Sequence, residues 1–162
     1  MTTPNAPSSS RVLDVPAAVF TGTWQTQSTS WVELGGGALR CVINGKAGDR
    51  LRITPPAVSF SVGAIFRLVR NGTEILLGNA VSGKEQTSWA LNYSGGPNNG
   101  ITYIGALPIG PPLRDVLPAD GTYTYWINCR VNAGILYIGR PTYDAEFYGI
   151  RFPTVFEVQN LG

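Results

Sequence analysis

Apolar and polar residues alternate along most of the chain from Val15 onward. The clearest run spans residues 121–131, where every second side chain is apolar: Tyr123, Tyr125, Ile127, Cys129 and Val131. The positions between them are Thr124, Trp126, Asn128 and Arg130. A period of two is typical of a strand with one buried face, because successive side chains point to opposite sides of a sheet. The segment therefore predicts a half-buried strand.

A tight hairpin is predicted around the dipeptide Asn71-Gly72. Two runs with alternating apolar positions, 66–70 and 73–77, flank this dipeptide. Asn-Gly supplies the two positive φ angles that a type I′ turn requires. We therefore expect the two runs to pair as antiparallel strands.

Further short strands and no helices are predicted along the rest of the chain. The remaining alternating segments are 19–25, 30–34, 38–44, 50–54, 57–62, 87–93, 135–139 and 154–159. Turn clusters rich in Gly and Pro separate them, and no stretch has an apolar stripe at helical spacing. Residues 95–117 are rich in Pro and Gly and are interpreted as a long crossing loop. This pattern predicts an all-β protein, a single jelly-roll-like antiparallel β-sandwich.

The N-terminal end differs in composition from the rest. Residues 1–10 contain no aromatic or branched aliphatic side chain, so they cannot bury an apolar face. We expect a short extended N-terminal arm over residues 1–14 and the sandwich over residues 15–162. The first residues have neither the basic start nor the apolar run of a signal peptide, so we expect synthesis and folding in a cytoplasm.

Composition excludes several classes of partner. The 162 residues suit one domain, and charged residues make up 14% of them, against about 25% in an average soluble domain. The net charge is +2 with no basic run in the sequence, which argues against a nucleic-acid partner. No apolar run approaches the roughly 20 residues that cross a bilayer, which argues against a membrane partner.

The sequence offers little catalytic chemistry. It contains no histidine, which excludes Ser–His and Cys–His nucleophiles and the usual zinc and haem sites with histidine ligands. A near match to a phosphate-binding loop at 78–85 ends in Glu where a hydroxyl is needed. The carboxylate pairs Asp144/Glu146 and Asp115/Asp120 are interpreted as solvated or salt-bridged surface groups. We therefore predict no enzyme activity, and no catalytic, metal-binding or cofactor-binding residue.

Two cysteines, Cys41 and Cys129, fall on the apolar faces of predicted strands. They are too few for a disulfide scaffold or a four-cysteine metal site. We interpret them as buried free thiols that act as small hydrophobic groups, and the sequence leaves a disulfide between them open.

Two tryptophans fall on the polar faces of predicted strands. Trp31 shares its face with Glu33, and Trp126 shares its face with Asn128 and Arg130. Exposed tryptophan is unfavourable and is enriched in interfaces. Either loops or the arm cover these side chains within one subunit, or they are buried against other subunits.

Several segments resemble small tumour-necrosis-factor-like jelly-roll domains in virion proteins of tailed bacteriophages. The matching segments are 30–34 (Ser-Trp-Val-Glu-Leu), 66–75 (Phe-Arg-Leu-Val-Arg-Asn-Gly-Thr-Glu-Ile), 120–125 (Asp-Gly-Thr-Tyr-Thr-Tyr) and 155–158 (Val-Phe-Glu-Val). In order and spacing they cover most of residues 17–160. The resemblance implies a homotrimer without catalytic activity at the particle surface of a virion. The family includes both capsid decoration proteins and the receptor-facing tips of tail fibres.

The resemblance, taken with the missing shaft, favours a capsid decoration (cement) protein, because only about 18 residues precede the first predicted strand and fibres carry a long shaft there. The implied partners are the major capsid protein and further copies of the chain. Candidate capsid-binding residues of the arm are Thr2, Thr3, Pro4, Asn5, Pro7 and Arg11. Candidates for subunit-interface or core contacts are Trp31, Tyr123, Tyr125 and Trp126.

Two alternatives remain open at this point. The first is a tail-fibre or baseplate tip that binds a host-surface glycan or protein through residues 93–99 and 143–148. The second is a histidine-free carbohydrate-active enzyme that uses Asp144 or Glu146.

Overall fold

Antiparallel strands form the architecture in the computed structural model, which describes residues 11–60, 63–75, 89–92, 107–139 and 153–162. The strands are β1 (Ala17–Phe20), β2 (Trp24–Thr26), β3 (Val32–Glu33), β4 (Cys41–Gly45), β5 (Arg50–Thr54), β6 (Ala57–Phe60), β7 (Gly63–Arg70), β8 (Thr73–Ile75), β9 (Trp89–Asn92), β10 (Leu107–Pro108), β11 (Leu113–Val116), β12 (Gly121–Ala133), β13 (Leu136–Ile138) and β14 (Thr154–Asn160). One 3-10 turn, Leu34–Gly37, follows β3. The predicted all-β antiparallel sandwich is confirmed.

Two large sheets form the sandwich. Sheet I has the order β1-β14-β5-β11. Sheet II is built on β12 and β7, with β3 and β4 along the free edge of β12, and β8 and β9 along the free edge of β7. The antiparallel pairs are nested along the chain, since β1 pairs with β14, β4 with β12, β5 with β11 and β7 with β8.

A smaller sheet continues sheet I beyond a break. Its order is β2-β13-β6-β10. Each of these strands is the neighbour along the chain of the strand at the same position in sheet I, because β2 follows β1, β13 precedes β14, β6 follows β5 and β10 precedes β11. Prolines at 55–56 and 111–112 lie at this break and have no backbone N–H to donate to a ladder. Gly139 also lies there with φ +66, and a Cβ atom at this position would clash with the carbonyl oxygen of Gly22.

The hydrophobic core contains the inward side chains of sheets I and II. Tyr125, Phe66 and Phe156 are its largest members, and each is completely buried. In β12 the odd-numbered residues 123–131 are buried and the even-numbered residues 124–130 are half-buried, as the alternation predicted. Each large buried side chain contributes about 1.5–3 kcal/mol to folding, so this face of β12 anchors the sandwich.

A buried polar cluster joins the two sheets. Asp115 of β11 accepts hydrogen bonds from the Arg70 guanidinium at 2.8 Å and from the Tyr125 hydroxyl at 2.7 Å. Its other oxygen accepts from the backbone N–H of Val116 at 2.8 Å. Burial, and then the adjacent Asp115 carboxylate, raise the pKa of Tyr125, so its hydroxyl stays a donor.

Two residues shortly before β1, Arg11 and Asp14, are attached to the sandwich. Arg11 donates to the Asp49 carboxylate at 2.5 Å, and the same oxygen accepts from the Asn160 amide at 2.7 Å and the Lys46 backbone N–H at 2.9 Å. Asp14 accepts from the backbone N–H of Asn44 at 2.8 Å. The sequence assigned residues 11–14 to the arm, whereas these bonds attach Arg11 and Asp14 to the domain.

Two strand predictions were wrong in detail. The segment 19–25 contains two strands, β1 and β2, because the chain bends at Gly22 where sheet I breaks. Residues 95–117, interpreted as a loop, contain β10 and β11. The strand β11 escaped notice because Asp115 points inward, so that the sequence Leu-Arg-Asp-Val does not alternate between apolar and polar residues.

Candidate binding face

Six side chains cluster on the outer face of sheet II. We call this cluster the Trp–Arg face, and it consists of Trp31, Glu33, Arg40, Arg67, Trp126 and Arg130. Strand pairing assembles it, because Asn128 of β12 lies opposite Glu33 of β3 and Arg67 of β7. The even-numbered residues of β12 and Arg67 therefore share the side of the sheet that faces away from the core.

Two arginines flank the Trp31 ring. The Arg67 guanidinium carbon lies 4.1 Å from the ring centroid, and that of Arg130 lies 5.3 Å from it. Both distances are within the range of a cation–π interaction. Within the described part of the chain, the Arg130 Nε is shielded from solvent without a hydrogen-bond partner, and the guanidinium lies against the indole.

The second half of the face is an ion pair stacked on Trp126. Arg40 donates Nε to one Glu33 oxygen at 2.7 Å and Nη2 to the other at 2.6 Å, a bidentate arrangement. Its guanidinium carbon lies 4.7 Å from the Trp126 ring centroid, and the Trp126 indole N–H donates to Asn128 at 3.2 Å. The hydrogen bonds and the charge of Glu33 raise the pKa of Arg40.

The Trp–Arg face has the chemistry of a protein-binding surface. Tryptophan and arginine are the residues that most often dominate the binding energy of protein interfaces. Here the stacking on Trp31 and Trp126 and the fork of Glu33 hold the arginine side chains in place, so less side-chain entropy is lost when a partner binds.

The sequence predicted correctly that the two tryptophans lie on the polar faces of their strands, and it left the two tyrosines as candidates for either interface or core contacts. Trp31 and Trp126 are half-buried on the polar face, where Arg67, Arg130 and Arg40 cover part of each ring. Tyr123 is 7% exposed and Tyr125 is fully buried. Both tyrosines are therefore core residues, which was one of the two roles expected for them.

Of the residues predicted to bind a partner through the arm or the loops, Arg11 is the one that lies within the described part of the chain. Its guanidinium is held in the intrachain ion pair with Asp49. Thr2, Thr3, Pro4, Asn5 and Pro7 lie outside the described residues, as do Asp144, Glu146 and the loops 93–99 and 143–148.

Glu33, Arg40, Arg67 and Arg130 were not predicted as members of the site. Their contacts depend on which strands lie side by side and in which register, and neither is visible in a local pattern. Three of these residues carried a local signal. Glu33 and Arg130 share the polar faces of Trp31 and Trp126, and the alternation in the 66–70 run puts Arg67 on the polar side of its strand.

Both cysteines are free and buried. Cys41 lies opposite Tyr125, and Cys129 is four residues further along β12, which corresponds to roughly 13 Å at the rise of a strand. This separation is too large for a disulfide. Burial raises the pKa of Cys129 to about 12 and also raises the pKa of Cys41, so neither thiol is activated as a nucleophile.

Other types of site find no support in the described part of the chain. Among these residues, no three His, Cys, Asp or Glu side chains are grouped as a metal ion would require. None of the described segments forms a helix with the length and apolar character of a membrane span. The chain matches no known protein-family model, and a search of curated proteins finds no relative.

Proposed function

We propose that this chain is a non-enzymatic structural protein of a bacteriophage virion, a trimeric capsid decoration protein that binds the head surface and stabilises it. The observation that carries the proposal is the nested pairing of strands, first with last and so on inward. Nested pairing of this kind arises when one long antiparallel hairpin is folded into two sheets. The pairing therefore supports the jelly-roll topology that the resemblance implies.

The positions of the matching segments add support. Residues 30–34 contain β3, residues 66–75 form the β7–β8 hairpin, and residues 120–125 begin β12. These three segments are distant in sequence and belong to the same sheet, since β3 and β7 both pair with β12. Three of the four matching segments therefore lie in sheet II, and the fourth, residues 155–158, lies in β14 of sheet I.

The Trp–Arg face supplies the contact surface in this proposal. Its ordered arginines and half-exposed indoles suit a protein partner, either the coat shell or a neighbouring copy. A trimer would present three such faces and three arms at once. Their high effective concentration makes weak individual contacts add up to firm binding.

Immunogold labelling of purified particles, with an antibody against residues 15–162, tests the proposal. Gold over the head is the expected result. Gold confined to the tail would contradict decoration and support a receptor-binding tip, and particles without gold would refute a virion role. Native mass spectrometry should give three times the 17.3 kDa chain mass, and a stable monomer would contradict the trimer.

Variants of the Trp–Arg face test its role on the particle. The double variant Trp31→Ala/Trp126→Ala should lower occupancy on heads that lack the protein by about tenfold or more. Thr122→Ala is the matched control, because Thr122 lies exposed on the same sheet outside the face, and it should bind normally. Equal occupancy for the double variant and the control would exclude this face as the contact surface.

A further inference from the structure

A second set of arginines lies on the outer face of sheet I. Arg50 and Arg52 are exposed positions of β5, and Arg114 is an exposed position of the neighbouring strand β11. We call these three residues the basic face. Arg114 lies directly opposite Arg52 in the antiparallel register, so the two Cβ atoms are about 5 Å apart.

Within the described residues, the charges of Arg52 and Arg114 are not balanced locally. Among the outward positions of β1, β5, β11 and β14, Glu157 is the one carboxylate, and the described ion pairs do not include it. Within the described residues, neither Arg52 nor Arg114 has an ion-pair partner. Arg50 donates to the Gly162 oxygen at 3.2 Å.

This arrangement is unfavourable in the isolated chain. Like charges directly opposite each other destabilise a sheet. On the Trp–Arg face, Arg40 has Glu33 and stacks on Trp126, and Arg67 stacks on Trp31. Unbalanced charge that costs stability is expected where a surface serves a partner.

We infer that the basic face binds an acidic, extended segment of a partner protein. The spacing suits such a segment, because Arg50 and Arg52 are alternate residues of one strand, about 6.8 Å apart, and alternate carboxylates of an extended peptide have the same spacing. The planar forks of Arg52 and Arg114 match the two oxygens of a carboxylate.

The surroundings of the basic face favour protein over nucleic acid. Val116 lies opposite Arg50 with 56% of its surface exposed, and the cross-strand pair Val19/Val155 is exposed at 56% and 39% on the other side of the same sheet face. Apolar side chains beside arginines suit a protein surface. Three arginines with Glu157 nearby would neutralise only about three phosphates, which gives weak, strongly salt-dependent nucleic-acid binding.

The test uses a labelled decapeptide of alternating Glu and Ser, and it does not depend on where the protein is located in a particle. Fluorescence anisotropy at about 50 mM salt should detect binding of this peptide to the full chain. A decapeptide with the same five Glu in one block should bind more weakly, and one with Gln in place of Glu should not bind. The double variant Arg52→Gln/Arg114→Gln should weaken binding about tenfold or more.

Control variants distinguish the effect of the bidentate guanidinium group from the effect of net charge on peptide affinity. Thr122→Glu lowers the net charge by one unit on the outer face of sheet II, as Arg114→Gln does on sheet I, and should leave peptide affinity unchanged. Arg114→Lys keeps the charge but loses the fork, and its affinity should fall between those of the native chain and Arg114→Gln. Thermal unfolding of each variant checks that it folds.

Three outcomes would overturn the inference. The first is the absence of measurable peptide binding. The second is binding that Thr122→Glu weakens as much as Arg114→Gln, which would indicate a general charge effect. The third is tighter binding of a single-stranded DNA decamer than of the alternating peptide, which would assign the face to nucleic acid.

Discussion

Arg70 of β7 donates a hydrogen bond at 2.8 Å to Asp115 of β11, and this ion pair crosses from one sheet of the sandwich to the other. The Asp115 side chain is 8% exposed and the Arg70 side chain 23%, so the pair is largely removed from water. Tyr125 donates to the same carboxylate oxygen, which makes the cluster a polar link within the apolar core. Each member depends on the others, because a buried charge without its partner is costly.

Asp115→Ala is expected to lower the free energy of unfolding by about 3–5 kcal/mol, because it leaves Arg70 and the Tyr125 hydroxyl without their acceptor. Tyr125→Phe removes a single hydrogen bond and should cost about 1 kcal/mol. Urea unfolding followed by tryptophan fluorescence measures both values. Asp120→Ala, a surface change that removes one backbone contact, should cost about 1 kcal/mol or less. A loss for Asp115→Ala no larger than this control would refute the link.

Asp49 should make stability depend on pH in the acid range. Hydrogen bonds from Arg11, Asn160 and the Lys46 N–H lower the pKa of Asp49 to about 2, below the ordinary value of 3.8. Above about pH 5 the carboxylate is ionised in both states and its contribution is complete. As the pH falls from about 5 to 2, the unfolded chain takes up the proton first, so the contribution is lost.

The measurement is urea unfolding of the native chain and of Asp49→Asn from about pH 6 to pH 2. The difference in stability between them should be constant above pH 5 and should shrink below pH 4. Arg11→Ala should shift the loss to higher pH, because it removes the strongest donor to the carboxylate. A stability difference that stays constant down to pH 2 would contradict the assignment.

Thiol reactivity tests the burial of the two cysteines. Because burial raises the pKa of Cys129 to about 12, and both thiols are buried in the core, neither should react with Ellman's reagent in the native protein at pH 8. Both should react at once in denaturant without added reductant. If denaturant releases thiols only after reduction, a disulfide is present and the described geometry is wrong.

Local sequence signals predicted those parts of the fold that depend on neighbouring residues. Asn71 and Gly72 have φ angles of 50° and 83°, so the Asn-Gly dipeptide forms the predicted turn between β7 and β8. The Asn71 side chain also accepts from the Thr124 N–H at 2.8 Å, which ties the turn to β12. The alternation in β12 was also a local signal, because the burial of one face of a strand makes consecutive residues alternate between apolar and polar.

Pairings between distant residues could not be predicted in the same way. Asp115 points into the core because Arg70 and Tyr125 meet it there, and without those partners in view it broke the pattern of β11. The Trp–Arg face and the basic face also arise from pairing between strands that are distant in sequence. Arg114 meets Arg52 through the β5–β11 register, so the sequence showed no basic cluster where the structure has the basic face. Trp31 and Trp126 were visible as out-of-place residues, but their arginine partners were not.

The opposed arginines of sheet I give the last prediction. Arg114→Glu replaces a like-charged cross-strand pair with an opposite-charged pair facing Arg52, so it should raise the free energy of unfolding by about 0.5–1 kcal/mol. The gain should shrink in high salt, because both side chains are exposed and their attraction is screened. Urea unfolding at low and high salt measures it, with Arg114→Gln expected at about half the gain. A variant less stable than the native chain would mean that Arg114 is already paired favourably, and the basic face would lose the unbalanced charge on which its assignment rests.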